Sequence, residues 1–252
     1  MTSRSRFQAL IDEAVARSFT GWDFTWLNDR FSVAPTSWNY RETVGERLMH
    51  ATALLDMCTG GGELLASLGG LPEVVFATEG YAPNVLVARS RLEALGVQVV
   101  HFEADDDLPL PDNSFDLVIN RHGAYSPLEI ARVARESGAI FLTQQVGSGN
   151  GSSMNEALGT APLDARTWCV DAAATQLESH GFTIIRCEEE FPVMAFADVG
   201  ALVFLLKAVP WQLPDFEVDA FNEHLYAIHE EIEKMGTFAT AAHRFFIEAS
   251  YD

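Results

Sequence analysis

The chain is short of cysteine, short of positive charge and without any long apolar run, and each shortage removes a class of function. Its 252 residues include three cysteines, Cys58, Cys169 and Cys187, too few for a disulfide framework and without the paired spacing of a metal site. Sixteen Lys and Arg stand against 36 Asp and Glu, a formal charge of −20. That field repels polyphosphate before any specific contact forms, so no nucleic acid partner is expected. No apolar stretch approaches the ~20 residues of a membrane span, and the opening Met-Thr-Ser-Arg-Ser-Arg-Phe has no apolar signal core. The expectation is a cytoplasmic protein with no membrane partner. Repeats and low-complexity tracts are lacking, and the histidines outside 120–123 form no metal-type constellation with nearby acids, so no metal is expected.

What is present alternates. Apolar runs at 53–57, 73–78, 97–102, 115–120, 139–144 and 182–187 read as strands, and segments at 61–69, 83–95, 127–136 and 167–180 read as helices between them. Such alternation predicts a doubly wound α/β sheet with helices on both faces. An amphipathic helix at 6–18 (Phe7, Leu10, Ile11, Ala14 and Val15 on one face), an aromatic stretch carrying Trp22, Phe24, Trp26, Phe31, Trp38 and Tyr40, and a helix at 41–50 read together as an N-terminal cap over 1–50. Residues 51–252 then form the main domain. It includes a lid insertion at about 191–235, read as a buried helix and turn followed by a helix at 217–235, before a last strand near 243–249.

The most informative stretch is Ala53-Leu-Leu-Asp56-Met57-Cys58-Thr-Gly60-Gly-Gly62-Glu63, a buried strand that ends in an acid and turns through glycines into a helix. The next strand ends in Glu79-Gly80, where an acid is placed to accept hydrogen bonds from ribose hydroxyls. The dinucleotide fingerprint Gly-x-Gly-x-x-Gly fits at neither start point, because Cys58 and Glu63 break one register and Leu65 the other. Glu63 would also face a pyrophosphate where that group wants backbone N–H donors. A nucleoside ligand without phosphates fits better.

Together with Asp105-Asp106-Asp107-Leu108-Pro109-Leu110-Pro111-Asp112-Asn113-Ser114-Phe115-Asp116 and Gly138-Ala-Ile-Phe-Leu142, these residues resemble the class I S-adenosylmethionine-dependent methyltransferases over roughly residues 50 to 190. The family's first motif, (Asp/Glu)-x-Gly-x-Gly-x-Gly, is matched by Asp56, Cys58, Gly60 and Gly62, with Cys58 standing where the family has its first glycine. The Leu-Pro and Phe-Asp pattern before a strand is similar to the branch that methylates small molecules and quinone precursors. The resemblance implies a Rossmann-like seven-stranded sheet in the order 3-2-1-4-5-7-6 with the last strand antiparallel, and S-adenosylmethionine as cofactor.

It also implies roles. Asp56, Met57, Cys58 and Gly60–Gly62 would cradle the amino-acid end of the cofactor, Glu79 and Gly80 the ribose, Tyr81 the adenine face, and Asp105 or Asp106 the adenine amino group. Asn120, Arg121 and His122 would border the methyl group. His122, which ordinarily titrates near 6.5, is the expected general base, and Arg121 could pair with a carboxylate of cofactor or substrate, or with a surface acid. Trp38 and Tyr40 are candidates for an aromatic roof over a sulfonium; Gln144 and Gln145 could orient substrate or merely cap a loop. The lid aromatics Phe191, Phe196, Phe204, Trp211 and Phe216 read mainly as core. The expected reaction is methyl transfer to O, N or C of a small, partly apolar acceptor by a monomer or homodimer. An rRNA or tRNA base methyltransferase, and a cofactor-binding protein without transferase activity, are the alternatives.

Overall fold

The computed structural model describes residues 2–19, 23–135 and 138–251. In chain order the elements are α1 (Ser3–Ala16), β1 (Phe31–Val33), α2 (Tyr40–Leu48), β2 (Ala53–Met57), α3 (Glu63–Ser67), β3 (Val74–Glu79), α4 (Ala82–Leu92), β4 (Gln98–His101), β5 (Leu117–Arg121), α5 (Pro127–Val133) and β6 (Ala139–Val146). There follow α6 (Ser152–Ala157), α7 (Val170–Glu178), β7 (Phe182–Glu190), β8 (Val193–Phe196), α8 (Val199–Ala208), α9 (Asn222–Met235), β9 (Phe238–Ala241) and β10 (Arg244–Tyr251). They fold into two compact units, one of residues 36–147, 166–190 and 244–252, the other of 1–35, 148–165 and 191–243.

The first unit is a seven-stranded sheet in the order β4-β3-β2-β5-β6-β10-β7. Counting only its own strands gives 3-2-1-4-5-7-6, the order the resemblance implies. β10 runs antiparallel to both neighbours, whereas the other pairings are parallel. β2 is an interior strand, between β3 and β5, with every residue buried, as a parallel strand covered on both faces must be. Alternation sends Leu54, Ile119, Leu142 and Phe246 to one face with Trp38 and Tyr40, and Leu55, Val118, Phe141 and Phe245 to the other. The Leu-Pro-Leu-Pro loop is tied down from α5: Glu129 accepts from the Leu108 N–H at 2.9 Å, and Arg132 donates to Glu129 and to the carbonyls of Leu108 and Leu110. Asp116, the acid of Phe-Asp, accepts from the N–H groups of Thr52 and Ala53 and so pins the start of β2.

The second unit has its own core, with Phe7 and Ile11 of α1, Leu202 and Phe204 of α8, and Leu225 and Ile228 of α9. It also has a three-stranded antiparallel sheet, β1-β8-β9, that the sequence reading did not contain. Arg30 grips Asp198 through two bonds of 2.7 Å, and Asp198 caps α8 by accepting from the Ala201 N–H. These observations amend four expectations. The boundary at the N-terminal side falls at 35/36, because 36–50 packs with the seven-stranded sheet. The 191–235 insertion is not purely helical; it opens with β8, and its long helix starts at Asn222. Val15 points to solvent. α6 is an addition, hidden in a Gly-Asn-Gly-Ser-Ser stretch that reads as a turn. Trp22 and Glu136 lie outside the described residues. Among the described residues no helix is long and apolar enough to cross a membrane.

Candidate functional site

The turn after β2 is built from left-handed residues. Gly60 and Gly62 have φ of 63° and 79°, and Cys58 has φ of 57°, a conformation that costs an L side chain roughly 1–2 kcal/mol and glycine nothing. Gly62 is required for space as well, since a Cβ there would lie 2.7 Å from Leu92. Cys58 is accommodated from across the crevice. A Cβ on Gly123 would lie 2.4 Å from the Cys58 Cβ and 2.7 Å from its Sγ, so the glycine after His122 leaves the space that the cysteine fills. The Cys58 N–H donates to Thr78 Oγ1. Burial first, then the charges of Asp105, Glu79 and Asp56, push its thiol up to about 12, which keeps it protonated and unreactive.

Three carboxylates face this turn. Asp56, at the end of β2, is buried and accepts from the Thr59 hydroxyl at 2.6 Å; burial raises its pKa to about 7 against the Thr59 bond, with the Glu79 charge adding to the rise. Glu79 is buried too, and each of its oxygens accepts a backbone N–H at 2.7 Å, one from Gly60 and one from Tyr81. It therefore ties the glycine turn to the start of α4. Burial raises its pKa, opposed by those bonds and by His101. Asp105 is half-buried, its pKa raised by burial and by Asp106, whereas Asp106 is exposed. Tyr81 is exposed and Met57 is buried in the core. A cationic sulfonium with an ammonium group and a ribose diol suits this acidic, donor-poor end. A pyrophosphate does not, and Arg91 is already engaged with Glu63 and the Gly61 carbonyl. The residues present thus fit S-adenosylmethionine, with Asp56 and the turn toward its amino-acid end and Glu79 toward the ribose.

Across the sheet, at the ends of β5 and β6, the arrangement changes. Asn120 is fully buried and committed to the scaffold: its amide donates to the Met57 carbonyl at 3.3 Å, while its oxygen accepts from Thr143 and Gln145. Tyr40 is buried, its hydroxyl donating to the Asn120 carbonyl at 3.0 Å and its ring against Phe246. Burial, then the Asp56 charge, holds its pKa well above the usual phenol value, opposed by Arg121 and the bond to Asn120, so the hydroxyl remains a donor. Trp38 is likewise buried. Both rings are therefore packing and hydrogen-bonding members of the core, and the expectation that they roof a sulfonium gives way to that role.

His122 needs the larger correction. Trp38 Nε1, a donor only, donates to Gln144 Oε1 at 2.8 Å, which leaves the Gln144 amide nitrogen facing His122 Nε2 at 3.1 Å. That nitrogen must accept, so the proton of the neutral ring resides on Nδ1. The protein mass around the ring first, then the cations Arg121 and Arg244, push its pKa down to about 3. The side chain keeps solvent exposure, and water moderates the extent of the shift without altering its direction. An imidazole whose accepting nitrogen is occupied and whose protonation two guanidinium groups oppose is a poor base at neutral pH; it is a good hydrogen-bond donor. Its backbone, with φ of 60°, donates to the Gln144 carbonyl at 2.8 Å. Arg121 is exposed and forms no ion pair with a described acid. Gln145 is buried as a brace between Asn120, Thr143 and the Gly123 carbonyl.

The sequence reading missed Thr59, Thr78, Gly123 and Arg244. Gly123 stood beside His122 and could have been read as the partner of the misplaced cysteine. In the second unit, Phe196 and Phe204 are buried in the core, Phe191 and Trp211 are exposed, and Phe191 stacks on His243. Among the described residues no group of three His, Cys, Asp or Glu is arranged to hold a metal.

Residues 55–142 match the family described as a methyltransferase domain. Among solved structures, a functionally unknown protein from Deinococcus radiodurans R1 is 13% identical over 87% of this chain and 90% of its own, with a TM-score of 0.60. The YcgJ protein of Bacillus subtilis is 13% identical over 84% and 97%, at 0.58. An S-adenosylmethionine-dependent methyltransferase from Thiobacillus denitrificans, solved with S-adenosyl-L-homocysteine, is 15% identical over 87% and 93%, at 0.50. At these identities the likeness is one of fold. No curated protein matches the chain.

Proposed function

We propose, for a chain that carries a class I S-adenosylmethionine-dependent methyltransferase domain, that the methyl group goes to O, N or C of a small, partly apolar acceptor. The bound cofactor supplies a methyl group on a sulfonium, and the chain supplies position. Asp56 and Glu79 hold the cationic, hydroxyl-rich end by charge and hydrogen bonds. The edge of Asn120, Thr143 and Gln145 fixes the end of β5 that bears Arg121 and the turn that bears His122. Alignment of nucleophile and methyl carbon accounts for much of the rate in such transfers. The observation that carries the reading is the division of the site into a carboxylate-lined cofactor end and a guanidinium-bearing edge that presents no strong base. The charge of −20 supports a small acceptor over RNA, and the three free thiols support a cytoplasmic setting.

The test has two stages. Titration calorimetry should detect S-adenosylhomocysteine binding, with no heat from NAD. Cofactor carrying a labelled methyl group is then offered with small acids, phenols and amines, and with total tRNA and rRNA. Label should pass to a small molecule and not to RNA; labelled RNA would reverse the choice of acceptor.

A further inference from the structure

The chain of hydrogen bonds from Trp38 through Gln144 to His122 decides which ring nitrogen is left for a ligand. An indole N–H can only donate, so Trp38 Nε1 fixes Gln144 Oε1 as its acceptor at 2.8 Å and turns the amide nitrogen toward His122 Nε2, 3.1 Å away. Trp38 is buried, its ring against Phe246, and a flipped Gln144 amide would set an N–H donor against the indole N–H. His122 Nε2 is therefore held as an acceptor and Nδ1 keeps the proton. Among the described residues none accepts from that Nδ1–H.

The ring is also held in place from two sides. The His122 backbone N–H donates to the Gln144 carbonyl at 2.8 Å, so one residue of β6 grips both main chain and side chain. The two residues that follow lie against the glycine turn: Gly123 leaves the space that Cys58 fills, and Cys58 Sγ is 3.6 Å from the Ala124 carbonyl. The donor is carried between the end of β6 and the turn that would take the cofactor's amino-acid end, at the strand ends where this kind of sheet binds ligands.

The groups around the ring offer no ready acceptor for a proton. Arg121 of β5 and Arg244 of β10 both oppose a second proton on the ring. The Tyr40 hydroxyl of α2 donates to the Asn120 carbonyl, the Gln145 amide of β6 donates to Asn120, Thr143 and Gly123, and Asp56 of β2 is bonded to Thr59. A neutral alcohol or an ammonium group must shed a proton before it can attack. An anion need not, and its lone pairs suit an N–H donor, whereas an O–H or N–H hydrogen does not.

We propose that Trp38 and Gln144 orient His122 so that its Nδ1–H donates to the reacting atom of the methyl acceptor, and that this atom arrives as an anion, the oxygen or sulfur of a phenol, enol or thiol that ionises near neutral pH. This rests on the methyltransferase reading above. A lone pair of the anion forms the bond to the methyl carbon while the carbon–sulfur bond breaks, its electron pair passing to the sulfonium sulfur. A neutral methylated product and S-adenosylhomocysteine result, and no proton changes hands. The negative charge disappears in the step, so the Nδ1–H bond is stronger to the acceptor than to the product. Trp38 and Gln144 act through His122 and are positioning residues.

The test uses the full chain saturated with S-adenosylhomocysteine. Nitrogen-15 NMR should show the His122 ring as the Nδ1–H tautomer, its signal assigned by its loss in His122→Gly; glycine is chosen because the φ of 60° strains alanine. The chain is then titrated with 4-nitrophenol and 4-nitrothiophenol, each ionised, against the methyl ether and methyl thioether. At least one anion should bind tenfold or more tighter than its methylated counterpart. His122→Gly should remove that preference while the S-adenosylhomocysteine dissociation constant stays within threefold. Gln144→Glu provides a readout that a purely structural role would not move. A carboxylate beside Nε2 draws a proton there, so the ring should titrate in the neutral range, with the preference kept below its midpoint and lost above it. If Gln144→Glu does not fold, Trp38→Phe, which frees the amide to turn, should show both tautomers and a preference at least threefold smaller. The proposal is overturned by an Nε2–H tautomer in the parent, by neither anion outbinding its methylated counterpart, by a preference that survives His122→Gly, or by a tautomer and preference that neither Gln144→Glu nor Trp38→Phe alters. A parent chain that fails to bind S-adenosylhomocysteine would mark failure of the methyltransferase reading itself.

Discussion

Gly123→Ala should be costly in this chain and cheap in its Cys58→Gly variant. Gly123 does not sit in the left-handed region, so alanine meets no backbone penalty there, and on conformational grounds alone would stabilise by about 0.4–1 kcal/mol. The cost is steric. The new Cβ would lie 2.4 Å from Cys58 Cβ and 2.7 Å from Sγ, and the cysteine cannot swing away easily because its φ of 57° already fixes the backbone in a demanding region. Overpacking of this kind costs about 1–3 kcal/mol. With Cys58→Gly the two clashing atoms are gone and the nearest remaining neighbour is Asn120 Nδ2 at 3.0 Å, so the cost should fall below about 1 kcal/mol. A double-mutant cycle of four proteins, with stability measured by urea unfolding, should therefore give a coupling of about 1–2 kcal/mol between two positions 65 residues apart in the chain. Equal cost of Gly123→Ala in both backgrounds would refute the steric account, and with it the explanation of how a cysteine is tolerated in the glycine turn.

Glu79→Ala should weaken S-adenosylhomocysteine binding at least tenfold by calorimetry, because it removes a charged acceptor worth about 1.5–3 kcal/mol and releases the Gly60 and Tyr81 N–H groups; affinity within threefold of the parent would sink the assignment. Asp56 holds its proton more tightly folded, with a pKa near 7, than unfolded, near 3.8. Its ionisation therefore lowers stability progressively as pH rises between those values, with the loss complete above about pH 7. Asp56→Asn should flatten that part of the stability profile, between about pH 4 and 7, and parallel profiles for the two proteins would contradict the shift. The His122 ring, pushed toward 3, should show no NMR titration between pH 5.5 and 8, and an acid limb near 6.5 in the pH–rate profile should be lacking; a midpoint close to 6.5 would restore it as a base.

Local signals exposed the sheet and concealed the edge. A strand such as β2 announces itself because central parallel strands must be apolar throughout, and the glycine turn because its residues need left-handed backbone. Glu79 followed from its place at a strand end. The partners of His122 did not, since Trp38, Gln144 and Arg244 come from three distant segments and meet only through the register of β5, β6 and β10. Nor could the sequence show the sign of the His122 shift, which depends on the two arginines around it. The β1-β8-β9 sheet was illegible for another reason. Strands of three or four residues are too short for a period of two to stand out.

Glu190 and Arg244 are level with each other in the β7–β10 ladder, and Tyr251 is level with Phe182 at its far end. The two strands are therefore the arms of one hairpin, and the whole of 191–243 is, in topological terms, its turn. A two-residue turn closes such arms in ordinary hairpins, and each doubling of loop length adds only about 0.6 kcal/mol of closure entropy. The sheet is thus nearly indifferent to what the turn contains. A lineage built this way can exchange the contents of that turn by recombination, as a cassette, and acquire a new surface without redrawing a pairing of the seven-stranded sheet, at the cost of the partner of β1. Replacement of 191–243 by a short Asn-Gly turn would be the laboratory version of that event.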